Sequence, residues 1–181
     1  MSRYIIGVSG GADSMALLDM LVKQNQAVVV AHVNYHQRET SDRDQAIVSQ
    51  YCQQHDVPLR VLDDYFERGN FENHARVVRY RFFAQLCREY EADGVMVAHQ
   101  FDDDLETYLL QKQRGSRVEY YGLRPETTLH GVKVLRPLLH LTKQQLETYC
   151  LEQGIATGFD ETNASMQFAR NRLRLQLSAL S

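Results

Sequence analysis

The sequence predicts an α/β protein built on an open, doubly wound, parallel sheet of five strands with helices on both faces. Three observations predict it. Short apolar, β-branched runs alternate with longer segments of helical period along most of the chain. Each run is separated from the next by a helix-length segment, so right-handed crossovers join strands that run parallel. The residues that follow the runs are rich in glycine, histidine and carboxylate, and in such a sheet ligands bind beyond the carboxyl ends of the strands.

Taken in order, the first strand is predicted over residues 4–8, where Tyr4, Ile5, Ile6 and Val8 surround Gly7, and the first helix over 14–24. Strands over 27–33 and 59–62 frame a helix over 42–55. A long helix over 71–90 follows, with Val77, Val78, Phe82 and Phe83 as its core stripe. A strand over 94–98 leads into a helix over 102–113, and a strand over 132–135 precedes a helix over 143–153. A last helix runs from 164 to the C-terminus. Between 114 and 131 the periodicity fails, and Gly115, Gly122, Pro125, Thr127 and Thr128 mark a long loop.

A chain of 181 residues holds one domain with a substantial core, so residues 1–181 are read as a single domain with a basic C-terminal segment over 164–181. With no long apolar run and no secretory N-terminal pattern, the expectation is a cytoplasmic protein with no membrane partner. Cys52, Cys87 and Cys150 lie far apart and form no C-x-x-C pair, so they are read as packing residues on helices. A net charge of -3 does not mark a nucleic-acid binder, and any RNA contact must come from a local patch. The segment 168–181 carries Arg170, Arg172 and Arg174 without an acidic residue, joined by Arg114 and Arg117; it reads equally as a solvated helix face.

The first strand runs into Ser9, Gly10, Gly11, Ala12, Asp13 and Ser14, at the start of an apolar helix. Glycines that expose backbone N–H groups, followed by a helix N-terminus, make a cradle for an anion such as phosphate. The loop has no lysine, so it is not a Walker A loop. A carboxylate beside a phosphate cradle is unfavourable unless a cation lies between them, so Asp13 points to Mg²⁺. After the fourth strand come His99, Gln100 and the run Asp102, Asp103, Asp104. Three aspartates at a helix start are explained by capping and the helix dipole, or by a metal shared between Asp103 and Asp13. His99 is either a hydrogen-bonded loop residue or a catalytic group. On the long helix Arg76 and Arg79 share a face, which either solvates one side or meets a phosphate.

The motif S-G-G-x-D-S after a first strand resembles the PP-loop of the ATP pyrophosphatases. The following blocks are His32 to Arg38, Asn70 to Tyr80, Ala98 to Thr107, and Arg170 to Arg174. In that order they resemble the tRNA(Ile)-lysidine synthase family within the PP-loop group, over nearly the whole chain. The resemblance implies a PP-loop fold of the adenine nucleotide alpha hydrolase type and an ATP-binding loop over Ser9, Gly10, Gly11, Ala12, Asp13 and Ser14. It implies Mg²⁺ on Asp13 and Asp103, and roles in transfer chemistry for His99, Arg79, and Arg170 or Arg172. The sequence departs from the family pattern at Asn34 and Tyr35, at Gln100, and in the loop after Gly115.

The reaction implied is a ligation that consumes ATP and releases AMP and pyrophosphate. The C2 oxygen of the wobble cytidine in tRNA(Ile) with a CAU anticodon is adenylated, and free lysine displaces AMP to form lysidine. Tyr120 and Tyr121 are candidate stacking residues for a splayed base. Larger family members continue into C-terminal domains that grip tRNA. The expectation is therefore a minimal or truncated enzyme, or one that relies on its basic tail, and homodimers occur among such relatives. The alternatives are another PP-loop adenylating enzyme such as a tRNA thiolase, or a non-catalytic ATP-binding regulator. An amide-forming synthetase would need a glutaminase domain for which 181 residues leave no room.

Overall fold

Ile5 and Ile6 are neighbours in sequence, and neither is accessible to solvent. Consecutive strand residues point to opposite faces, so a strand that buries both must be covered on both sides. The computed structural model, which describes residues 1–158, has this arrangement around β1 (Arg3–Gly7). On one face Ile6, Val28 and Val30 pack against α1 (Ala12–Lys23), α2 (Ser41–Gln54) and α5 (Lys143–Glu152). On the other, Ile5, Val29 and Ala31 pack against Tyr80, Phe82, Phe83 and Leu86 of α3 (Phe71–Tyr90). Cys52 and Cys150 lie inside the first cluster and Cys87 packs against the second, as packing residues on helices.

The sheet is completed by β2 (Ala27–Asn34), β3 (Leu59–Asp63), β4 (Gly94–Met96), β5 (Glu126–Leu129) and β6 (Val132–Leu135), in the order β3-β2-β1-β4-β6-β5. The five expected strands are mutually parallel. From β1 the chain first winds outward through β2 and β3, then returns to add β4 and β6 on the opposite edge. That reversal between β1 and β4 opens a crevice at their carboxyl ends. The helix that leaves β4, α4 (Phe101–Gln113), starts at this crevice and has no buried residue.

The sheet has six strands rather than five. Residues expected in a long loop form β5, an antiparallel edge strand paired with β6 through Thr127 opposite Val134. Glu-Thr-Thr-Leu is too short and too polar to show a burial pattern. The hairpin signal lay in the turn, where His130 and Gly131 both have positive φ, 50° and 76°, as a two-residue type I′ connection demands. A second correction concerns α3: Val77 is 37% exposed, and Tyr80 takes its place beside Phe82 and Phe83 in the core. Among the described residues no helix is long and apolar enough to cross a membrane.

One buried carboxylate ties three helices together. Asp19 of α1, only 4% exposed, accepts hydrogen bonds from Tyr51 Oη of α2 at 2.7 Å and Tyr149 Oη of α5 at 2.5 Å. Lys23 Nζ lies 2.7 Å from Asp19 Oδ2, the oxygen that Tyr149 also bonds. Burial alone would raise the pKa of this carboxyl, but the bonds from Lys23, Tyr149 and Tyr51 outweigh burial and hold it below the usual range. Replacing Asp19 by asparagine is expected to cost about 1–3 kcal/mol at neutral pH, since two hydroxyls lose a charged acceptor. With a depressed folded-state value, the contribution is fully present above the unfolded value of about 4 and lost as pH falls through the folded one. Thermal melts of both proteins from neutral to acid pH check this: the gap should close in acid, and a constant gap would contradict it.

Candidate functional site

A cavity of about 720 Å³ occupies the crevice, and the β1–α1 loop forms one wall of it. Gly10 has φ 97°, and a side chain there would press on the backbone of Asp44 in α2, so only glycine lets the loop turn this tightly. Ser9 N and Ser14 Oγ are 3.1 Å apart, and Gly11 N donates to Ser9 Oγ at 3.3 Å, which closes the turn on itself. Ser9, Gly11, Ala12, Asp13 and Ser14 line the cavity. Gly10 does not; it is buried against Asp44, and its carbonyl accepts a 2.8 Å hydrogen bond from Gly158 N. The anion cradle expected from the sequence is thus built from backbone, a serine pair and the N-terminus of α1.

Asp13 and Asp103 meet at this wall, from α1 and α4. The Asp13 carboxyl is pushed up to about 6, first by burial and then by the Asp103 charge, with Lys143 and a hydrogen bond from Gln100 opposing. Its Oδ1 is buried without a hydrogen-bond partner among the described residues. A buried, unpartnered carboxylate oxygen beside a second carboxylate fits a hard divalent cation. Mg²⁺ keeps several waters and takes only one or two carboxylates together with phosphate oxygens, so this pair beside an anion cradle suits it.

The three adjacent aspartates have three tasks. Asp102 Oδ2 accepts the Lys143 backbone N–H at 2.8 Å, which fixes the start of α5 to the start of α4. Asp104 Oδ1 accepts the Leu123 N–H at 2.6 Å and anchors the 114–125 connection. Asp103 accepts the Gln100 N–H at 3.0 Å in a capping box, and of the three it alone lines the cavity. Gln100, 1% exposed, uses Oε1 to cap Asp102 N at 2.6 Å and also hydrogen-bonds Asp13.

His99 and Arg79 line the same cavity. Burial, then the charges of Arg136, Arg79 and Arg76, press the His99 pKa down to about 4, so the ring is neutral at physiological pH. Arg136, 6% exposed, donates from Nε to His99 Nδ1 at 3.0 Å and from Nη1 to Arg124 O at 2.8 Å. Sequence reasoning missed Arg136. It stands directly after the last parallel strand, a position the strand-end rule singles out. Lys143 and Glu147 of α5 also line the cavity and went unnoticed, because nothing local in an ordinary amphipathic helix marks them.

At the departures from the family pattern, Asn34 is structural. It donates to Asp42 Oδ1 at 2.9 Å and Gln45 Oε1 at 2.8 Å and accepts from His36 N. Tyr35 lines the cavity and donates its hydroxyl to Ala75 O at 3.1 Å. Tyr121 is engaged by Lys112 Nζ, 3.9 Å from its ring centre, and donates to Ser116 O, whereas Tyr120 is 45% exposed. Arg170, Arg172 and the basic segment 164–181 lie outside the described residues.

Residues 1–180 match the family profile of the PP-loop domain. The chain belongs to that family. The chain is 41% identical over 186 residues to the tRNA(Ile)-lysidine synthase of Ureaplasma parvum serovar 3, covering 99% of this chain and 55% of that protein. It is 38% identical over 182 residues to the enzyme of the same name from Mycoplasma genitalium, covering 99% and 62%. The chain thus spans little more than half the length of these curated relatives. Among solved structures, a U34-tRNA thiolase NcsA from Methanococcus maripaludis superposes with a TM-score of 0.71 at 14% identity, over 87% of this chain and 58% of that one. The NH3-dependent NAD synthetase of Campylobacter jejuni gives 0.55 at 13% identity, over 99% and 79%. These two share the fold of the PP-loop domain.

The raised pKa of Asp13 sets a stability cost. An acid whose folded value is raised destabilises the fold once ionised, so the cost starts above the unfolded value near pH 4 and is complete above about pH 6. Asp13→Asn in the metal- and nucleotide-free protein is expected to raise stability at pH 8 by up to about 3 kcal/mol, and to change it little at pH 4. Melting curves at the two pH values decide this, and a lower melting temperature for the variant at pH 8 would contradict it.

Proposed function

We propose that this PP-loop domain is the catalytic part of a tRNA(Ile)-lysidine synthase, a carbon–nitrogen ligase that uses ATP. The observation that carries this reading is the identity to synthases of that name across nearly the whole chain, 41% and 38% for the two relatives above. The geometry supports it. Ser9, Gly11, Ala12, Asp13, Ser14, Arg79, His99 and Asp103 line one crevice, whereas Gly10, Arg76, Tyr120 and Tyr121 do not.

In this reaction the cytidine C2 oxygen bonds to the α-phosphorus of ATP as the bond to pyrophosphate breaks. The ε-amine of lysine then bonds to C2, and AMP leaves with the oxygen. Cytosine C2 is a poor electrophile while its oxygen is a poor leaving group, and adenylation removes that obstacle. The Ser9–Ser14 loop receives the pyrophosphate on backbone N–H groups, and the start of α1 adds its positive end. Asp13 and Asp103 would hold Mg²⁺, which would neutralise phosphate charge there. Above about pH 6 Asp13 is ionised and ready to take part. Arg79, at the cavity wall, offsets charge that develops at the α-phosphate. Arg170 or Arg172, in the basic segment, supplies a further cation, and the target base leaves its stack to enter the crevice.

The thiolase alternative needs reactive sulfur. Cys150, the thiol that lines the cavity, is raised to about 11 by burial and the nearby carboxylates, and so is protonated at working pH. The protein incubated with ATP, Mg²⁺, labelled lysine and tRNA(Ile) bearing a CAU anticodon is expected to place label in the RNA. Asp13→Ala and Asp103→Ala should each lower the rate by at least about 100-fold while circular dichroism stays native. Near-normal incorporation by either variant refutes that assignment, and ATP binding without incorporation by the wild type favours the regulator.

A further inference from the structure

Arg136 presents a buried guanidinium that pairs with no carboxylate among the described residues. Burying a charge without a counter-charge is costly, and a fold keeps one where the charge has a task. Its partners are a backbone carbonyl and one nitrogen of His99. Guanidinium Nε–H can only donate, so at 3.0 Å it requires His99 Nδ1 to be an unprotonated acceptor. A neutral imidazole then carries its proton on Nε2. That nitrogen has no protein partner among the described residues, and His99 forms part of the cavity wall.

From this geometry we infer that Arg136 is a positioning residue, which holds His99 as the neutral Nε2–H tautomer and so makes it a fixed hydrogen-bond donor to a phosphate oxygen of the nucleotide. The inference rests on the ATP-using reading only for the identity of that acceptor. The groups around the ring agree with it. Arg76 and Arg79 of α3 and Arg136 beyond β6 all oppose a positive charge on His99, and no carboxylate is among the charges that act on it. A histidine serving as general base would need a partner that stabilises the imidazolium, usually a carboxylate at the other nitrogen. Here a guanidinium occupies that position. His99 thus resembles a neutral electrophilic imidazole, polarised from behind by a cation.

The arrangement also explains the cost of Arg136. The Nη1 bond to Arg124 O ties the end of the 114–125 connection to the same guanidinium, so the loop and the ring are held by one group. Arg124 itself lies beside exposed Tyr120, 5.2 Å from its ring centre. Movement of that connection is therefore coupled to the orientation of His99.

The ring nitrogens report directly on the claim. In ¹⁵N-labelled wild-type protein, two-bond nitrogen–proton correlations at pH 7.5 should show His99 Nε2 protonated and Nδ1 bare. In Arg136→Met, which fills the space without a donor, both tautomers should be populated, and Arg136→Lys should restore much of the bias. With ATP and Mg²⁺ the wild-type Nε2 proton should shift downfield. In the lysine-incorporation assay Arg136→Met should reduce kcat by about 10- to 100-fold, the usual range for a residue that orients an active-site histidine. His99→Gln, which keeps an N–H donor near the Nε2 position, should outperform His99→Ala. An Nδ1-protonated wild-type ring, or a tautomer unchanged in Arg136→Met, overturns the inference whatever the assay shows. A biased tautomer in a protein that incorporates no lysine leaves the inference standing and refutes the proposed reaction instead.

Discussion

The crevice is organised around one unfavourable contact, the approach of the Asp13 and Asp103 carboxylates in a partly dehydrated wall. Two like charges in low dielectric repel strongly, and neither α1 nor α4 would bring them together on its own account. What brings them together is the reversal of strand order between β1 and β4, which sets the first turns of the two helices side by side. Gln100 then fastens the pair, capping α4 with one end of its amide and bonding Asp13 with the other. The remaining mismatch is an unpartnered buried oxygen, and a cation between the two carboxylates removes it.

The surroundings of His99 carry the opposite sign. Arg79, with Arg76 and Arg136 around His99, forms a cluster of positive charge, and no described carboxylate neutralises Arg136. A polyphosphate with its cation is the kind of guest that suits both regions at once: metal toward the aspartates, phosphoryl oxygens toward the guanidinium groups and the backbone N–H groups of the first loop. The same polarity accounts for both perturbed titrations, since Asp13 is raised by burial and a like charge while His99 is lowered by burial and like charges. Each group titrates away from its ordinary range, as groups at functional sites commonly do.

Packing elsewhere serves this arrangement. The Asp19 network locks α1, α2 and α5, and α5 is the helix that brings Lys143 toward Asp13. Asp102 and Asp104 hold α5 and the 114–125 connection against α4, so the helix bearing Asp103 is anchored through its first turn without burying a residue. Gly158, next to Asp44, returns the chain to Gly10 through a backbone hydrogen bond.

The five parallel strands, the helices between them and the S-G-G-x-D-S loop were legible in the sequence, because each depends on neighbours within about ten residues: apolar periodicity, glycines at a turn, a cap at a helix start. The four-residue β5 was not, since a short polar edge strand exists only by pairing with β6. Nor could the run Asp102, Asp103 and Asp104 be divided locally: three adjacent carboxylates look alike until α5 claims one, Leu123 another and the cavity the third. Arg136 and His99 are 37 residues apart, and the sign of the charge behind the histidine was settled only when β6 came to lie beside β4. Sequence alone determined the fold class and the tight glycine turn after β1, because backbone conformation sets both. Tertiary structure decided which of the three carboxylates lines the cavity and which nitrogen of His99 Arg136 occupies, because charge interactions act through space and do not follow the order of residues.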